Sequence, residues 1–331
     1  MRQGHNHNHR QYPRQTKPTR PIKTNRAPRR IFLFAICVSI IVLGVFIVNA
    51  FRQGQAAYDN YSNSGYTASP SPRHPLNAGG YSQYNSDNSQ YNGHSPQTLS
   101  FNELADISND LLLLVNPDYA VPPHISGNLV RISGYVRALN PAAILRDDAL
   151  THLRAMFDSA ENYGFTQFRV TQAFRTHEYQ QNLFEVMGEG GLAAPPGHSE
   201  HQVGLAVDIS YEGVNIGNSV QGDWLMANSY RYGFILRYPE HKTEITGVPF
   251  EPWHYRYVGL PHAYYMTAYD LVLEEYIQLL QQESELTVRL NGVTYTVRHV
   301  SADETIVIPE MYSFTASLDN TGGIIVTMWP N

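Results

Sequence analysis

The chain has 331 residues, of which 42% are hydrophobic, 16% charged and 12% aromatic. That length suits one large or two ordinary domains, and the composition excludes collagen, a disulfide-stapled scaffold, a multi-span transporter and a wholly disordered chain. The net charge of −6 is the sum of two unlike parts: residues 1–30 carry nine Lys/Arg and no acid, whereas residues 31–331 set 14 Lys/Arg against all 29 Asp/Glu, a balance of −15.

Between the two blocks lies Ile31–Phe51 (IFLFAICVSIIVLGVFIVNAF), with no ionisable group apart from Cys37. Its length is that of a helix crossing a ~30 Å hydrocarbon layer. With Arg29 and Arg30 at its start, the positive-inside rule predicts a single-pass span, residues 1–30 forming a cytoplasmic basic tail and the rest lying outside the cell membrane. The rival reading is a cleaved secretory signal ending near Val48-Asn49-Ala50. Both export the body. Cys37 is the sole cysteine, so no intrachain disulfide forms and the body depends on its core and any metal it binds.

Residues 52–100 are rich in Ser, Asn, Gly, Tyr and Pro, with tyrosines at no helical or strand period, and read as a flexible linker. Folded sequence is expected from Phe101. From Asp148 to Tyr163 the apolar residues 149, 150, 153, 156, 157, 160 and 163 follow a helical period, with Asp147 or Asp148 as the cap and Gly164 beyond the end. Phe165–Phe174 is strand-like. Thr176 can cap a helix over 177–187, ended by Gly188, and a Gly/Pro loop follows over 188–197. Val203–Tyr211 reads as a short buried strand, and Tyr264–Gln282 as one further helix. After Glu283 the period changes to two. Leu286, Val288 and Leu290 lead into the turn pair Asn291-Gly292, and Val293, Tyr295 and Val297 resume the alternation. Strands are also expected over 304–308, 312–318 and 323–329, so that 285–331 forms a small β-hairpin appendage.

Two segments carry chemistry. In PGHSEHQVGLAVD (196–208), His201 precedes Asp208 by seven residues, and Gly204 permits a tight turn between them. An Asp inside the apolar run of Ala206 and Val207 is costly unless paired or bound to a metal. In Glu251-Pro-Trp-His254, Pro252 keeps the backbone extended. Two His and one carboxylate suit Zn²⁺ and leave a fourth position for water, with Glu251 as the spare carboxylate that accepts the water's proton. Each residue alone has an ordinary structural reading: a hydrogen-bonded core Asp, a packed His, a turn-capping Glu. Their joint occurrence is what points to a site.

The pattern Ser199-x-His201-x-x-Gly204-x-Ala206-x-Asp208 followed by Glu251-x-x-His254 resembles the two-part signature of VanY-like D-alanyl-D-alanine carboxypeptidases, zinc peptidases grouped with D-Ala-D-Ala dipeptidases. Phe174-Arg-Thr-His-Glu-Tyr-Gln180 resembles the family's arginine segment, with Phe174 where Tyr is common, and the likeness spans roughly 105–280. It implies an α+β fold, a small antiparallel sheet with packed helices around a zinc site, occupying 101–284. It further implies His201, Asp208 and His254 as zinc ligands, Glu251 as general base, and Arg175 as the group that stabilises the oxyanion and holds substrate. Ser199 and Gln180 match substrate-holding positions and Trp253 an aromatic lining the site. The expected activity is removal of the C-terminal D-alanine from peptidoglycan stem peptides. An L,D-carboxypeptidase, a wall endopeptidase and a non-catalytic wall-binding zinc protein are the alternatives. Nucleic acid is excluded as a partner of the exported body by its −15 balance.

Overall fold

The computed structural model describes residues 95–188, 193–213 and 216–331. The basic tail, the apolar stretch 31–51 and residues 52–94 of the expected linker lie outside them. The expected fold class is corrected in one respect. Among the described residues no helix is long and apolar enough to cross a membrane, so the transmembrane helix is no part of the observed architecture.

The described body is a mixed α/β structure with small antiparallel sheets. In chain order it comprises β1 (Gln97–Ser100), α1 (Phe101–Asp106), β2 (Leu129–Arg131), β3 (Ile144–Arg146), α2 (Asp147–Asn162), β4 (Phe168–Gln172), α3 (His177–Met187), β5 (Ala206–Tyr211), α4 (Val220–Asn228), β6 (Phe234–Leu236), α5 (Thr243–Thr246), β7 (His254–Tyr257), α6 (His262–Ala268), α7 (Leu273–Glu283), β8 (Glu285–Leu290), β9 (Val293–Ser301), β10 (Thr305–Ile308), β11 (Tyr312–Leu318) and β12 (Gly323–Pro330). The sheet that carries the chemistry has the order β4-β5-β7-β6, every pair antiparallel.

That sheet rests on α2. The helix buries Ala149, Leu150, Leu153, Met156, Phe157 and Ala160, the stripe its 3.6-residue period predicts, against Phe168, Val170, Val207, Ile209, Tyr255 and Tyr257. Replacing fully buried Leu153 by Ala would remove part of this contact at a cost of about 2–5 kcal/mol. Neither acid caps α2 as expected. Arg146 holds the N-cap position, and Asp147 and Asp148 stand in the first turn, where their charge complements the helix dipole. Gly164 follows the helix at φ +85°, a conformation glycine adopts without penalty.

The single helix expected over 264–282 is two. Asp270 takes a left-handed φ of 53° and the Leu271 amide reaches back to the Met266 carbonyl, ending α6 and turning the chain before α7 begins. The apolar period runs across the break because both helices bury residues in one core with β8 and β9: Met266, Leu273, Tyr276, Ile277 and Leu280 meet Val288, Tyr295 and Val297.

The C-terminal region is built of the expected hairpins. Its main sheet is β11-β12-β9-β8, with the predicted Asn291-Gly292 turn at positive φ for both residues. β10 leaves that sheet to pair with β1, from the last residues of the expected linker: Gln97 lies opposite Ile308 and Ser100 opposite Thr305. Ser100 then caps α1 in a reciprocal arrangement with Glu103, and Leu104 of α1 packs beneath Phe314, Ile324 and Val326. Residues 285–331 therefore hold the front of the folded body as well as its end.

Candidate metal and catalytic site

The site is assembled at the centre of the four-stranded sheet. Asp208 on β5 lies directly opposite His254, the first residue of β7. His201 sits in the short 3₁₀ turn Glu200–Val203 just before β5. Gly204 ends that turn at φ +76°, a backbone conformation that favours glycine, and a Cβ there would stand 2.7 Å from Leu129 Cδ2, which would have to move aside.

Three donor atoms converge here. His201 Nε2 is 3.3 Å and His254 Nδ1 3.2 Å from Asp208 Oδ1, and one ligand atom from each residue lies within 4.8 Å of the others. Among the described residues this is the one cluster of three or more His, Cys, Asp or Glu side chains arranged to hold a metal. The imidazoles stand edge to face, centroids 4.9 Å apart at 82°.

The outer nitrogens settle which lone pairs face inward. His201 Nδ1 is 2.8 Å from the Ala173 carbonyl oxygen, which only accepts, so Nδ1 carries the proton and Nε2 faces Asp208. His254 turns Nε2 to Glu200 Oε2 at 3.3 Å and Nδ1 to the site. Asp208 Oδ1 is buried and receives no well-formed hydrogen bond. Two inward-facing imidazoles and an under-satisfied carboxylate oxygen form a donor set of the hardness and number that fit Zn²⁺ with an open position.

Burial pushes the Asp208 carboxyl up, but His201 and His254 more than offset this and hold it well below the usual range. Burial lowers His201, which favours the neutral ligand form. For His254 burial works the same way, but the adjoining Asp208 and Glu200 carboxylates carry it up to about 9, so a metal taken up at Nδ1 must displace a proton there.

Glu251 lies beside this cluster, Oε2 3.6 Å from His254 Nδ1. Its amide donates to the Tyr238 carbonyl and its carbonyl accepts from the His254 amide, a tight turn around Pro252 and Trp253. Burial raises its carboxyl, assisted by Asp208 and opposed by His254 and Arg175. Arg175, just after β4, is partly buried on another flank, with NH2 3.5 Å from Asp208 Oδ2, NH1 3.3 Å from Gln180 Oε1 and Nε 3.4 Å from Gln172 Oε1.

The other expected residues fall into different places. Gln180, on α3, is fully buried and uses its amide on Arg175 and on the Ala194 carbonyl at 2.8 Å, so it orients the arginine and fastens the loop before the metal motif. Ser199 is buried at the start of the 3₁₀ turn, and its carbonyl accepts from the Gln202 amide. Trp253 is half-buried, its carbonyl accepting from the Ile209 amide to extend the β5–β7 pairing.

Sequence reasoning missed a buried ionic network behind His254. Fully buried Glu200 receives Arg237 Nε and Arg256 NH1 on Oε1, both at 2.8 Å. Arg237 also binds Glu274 of α7 at 2.7 and 2.9 Å, and Arg256 NH2 donates to the Leu111 and Leu113 carbonyls at 3.0 Å. Burial works against ionisation of Glu200, but the two arginines and His254 keep its carboxyl well below the usual range. The available signal was an arginine in the aromatic strand HYRY and an acid inside the metal motif.

A His/Asp/His donor set on a small antiparallel sheet, with an adjacent carboxylate and a flanking arginine, defines a zinc-dependent peptidase site. The family of D-alanyl-D-alanine carboxypeptidases named VanY matches residues 142–260, which contain every residue of that site. A D-alanyl-D-alanine carboxypeptidase of Enterococcus faecium is 31% identical over 313 residues, covering 91% of this chain and 97% of the relative. The crystal structure of a vancomycin-resistance D,D-dipeptidase, VanXYg, in complex with a D-Ala-D-Ala phosphinate analog, superposes with a TM-score of 0.61 at 27% identity, over 71% of this chain and 98% of that one. A D,D-pentapeptidase VanY mutant solved with Zn(II) is 37% identical over 50% of this chain and 98% of that one, with a TM-score of 0.43. The chain belongs to the VanY D-alanyl-D-alanine carboxypeptidase family and is a zinc-dependent carboxypeptidase.

Proposed function

We propose that this enzyme removes the terminal D-alanine from peptidoglycan stem peptides on the outer side of the cytoplasmic membrane, with Glu251 as general base. The carrying observation is the placement of Glu251 beside His254 at 3.6 Å, with its carboxyl raised by burial and, among the described residues, no arginine or lysine in a direct salt bridge with it. Zn²⁺ held by His201, Asp208 and His254 would polarise the scissile carbonyl and lower the pKa of a bound water.

The protein side chains divide the remaining work. Glu251 accepts the water's proton at its carboxylate and returns it to the departing amine nitrogen. Arg175 supplies a fixed planar charge for the developing oxyanion or for the peptide's terminal carboxylate, and Gln180 and Gln172 hold that charge in place. Ser199 and Trp253 border the motif and are assigned to substrate. The activities of these relatives, a D-alanyl-D-alanine carboxypeptidase and a D,D-dipeptidase, support the D,D reading. The extracytoplasmic setting fits a body with no cysteine after Cys37 and a substrate found in the wall.

Mass spectrometry after incubation with defined tri-, tetra- and pentapeptide stems tests the reading. The expected result is a pentapeptide shortened by one D-alanine and an intact tetrapeptide. Loss of the fourth residue would establish the L,D activity instead, and an internal cut the endopeptidase.

A further inference from the structure

We propose that Glu200 is a positioning residue of the metal site, fixing the ring and the tautomer of His254. A carboxylate placed only to neutralise Arg237 and Arg256 would present both oxygens to them. Here both arginines share Oε1, and Oε2 is turned to His254 Nε2. An ionised carboxylate only accepts, so the imidazole proton sits on Nε2 and the Nδ1 lone pair is left for the metal.

The two arginines fix Glu200 in turn. Arg237 ties it to Glu274 on α7, and Arg256 ties it to the Leu111 and Leu113 carbonyls. Glu200 and Glu274 balance Arg237 and Arg256, two charges against two, so the buried cluster is already neutral with His254 uncharged as a ligand. Glu200 thus stands to His254 as the Ala173 carbonyl stands to His201.

The inference rests on the zinc assignment and not on the substrate, so a chain that binds zinc yet fails to trim the stem leaves it standing. Zinc affinity of the purified full chain, by competition with a chromophoric chelator, is compared for the native protein, Glu200→Gln and Leu280→Ala, the last a fully buried position in α7 that belongs to a different hydrophobic cluster from the metal motif. Glu200→Gln is expected to bind zinc about 10–100-fold more weakly, and Leu280→Ala to lose thermal stability while binding zinc as the native chain does. Long-range ¹H–¹⁵N spectra of the native chain are expected to show His254 protonated on Nε2 and metal-bound through Nδ1. Native-like affinity in Glu200→Gln, an equal loss in Leu280→Ala, or a metal on Nε2 of His254 would overturn the proposal. If Glu200→Gln does not fold, the spectrum of the native chain decides.

Discussion

Asp208 and His254 are paired across β5 and β7, and Asp208 Oδ1 lies 3.2 Å from His254 Nδ1. Two ligands are thus aligned by strand register, which β5, buried from Ala206 to Ser210, cannot shift by one residue without turning Asp208 to the opposite face. The third, His201, is brought in by the turn that Gly204 closes.

Loss of one register-set ligand should therefore empty the site. His254→Ala and Asp208→Ala are each expected to retain far less than stoichiometric zinc and no measurable turnover. Elemental analysis of dialysed protein checks this, and full occupancy in either variant would remove that residue from the ligand set.

Glu251 should separate chemistry from metal binding. Glu251→Gln is expected to lower kcat by about 10²–10⁴-fold, the usual contribution of a positioned acid–base group, while zinc content stays native. Steady-state kinetics with metal analysis on the same sample makes the comparison. A variant that keeps a tenth or more of kcat, on the order of one lost hydrogen bond, would exclude Glu251 as the base.

Gly204 should be intolerant of the smallest side chain. Gly204→Ala places a Cβ 2.7 Å from Leu129 Cδ2 at φ +76°, and a cost of about 1–3 kcal/mol in unfolding free energy is expected. Because His201 lies in the turn that Gly204 closes, weaker zinc binding should accompany it. Denaturant titration and chelator competition measure the two effects.

Asp319 gives the C-terminal module a pH dependence. Its Oδ1 accepts from the Thr321 and Gly323 amides at 2.7 and 3.0 Å, and Oδ2 lies 3.0 Å from His299 Nε2. Burial pushes the carboxyl up, but these hydrogen bonds bring it below its ordinary value. A depressed folded pKa means the stabilisation is complete above the unfolded value and disappears as pH falls through the folded one. Asp319→Ala should cost about 1–3 kcal/mol at neutral pH, and its deficit should shrink below the ordinary Asp range near pH ~3.9. Urea titrations over a pH series test both sign and window.

The elements that were legible in the sequence are those whose signal is local. The stripe of α2, the Thr176 cap and the Asn291-Gly292 turn each lie within one short segment, and the structure places them where the pattern does. The metal motif is two such segments, and the pairing of β5 with β7 brings Asp208 and His254 together beside His201. What escaped depends on partners far apart in the chain. Asp270 breaks a helix whose apolar period continues, because both halves face one core. β1 looked like linker because Gln97–Ser100 has little apolar content, and only β10 makes it a strand. Glu200 was hidden because its partners Arg237 and Arg256, and the Glu274 that Arg237 binds in turn, come from distant parts of the chain.

The pairing of β1 with β10 has a bearing on synthesis. β1 must wait for the chain as far as β10 to be made before it finds its partner, a late, long-range closure. Further along, Ser317 of β11 accepts from the Leu112 amide and Asn320, in the turn that follows, donates to the Leu114 carbonyl, fastening the segment on which Arg256 leans. Loss of residues 305–320 would leave every zinc ligand in place yet remove the latch behind them, so the support of the site is held well outside the segment that carries its chemistry.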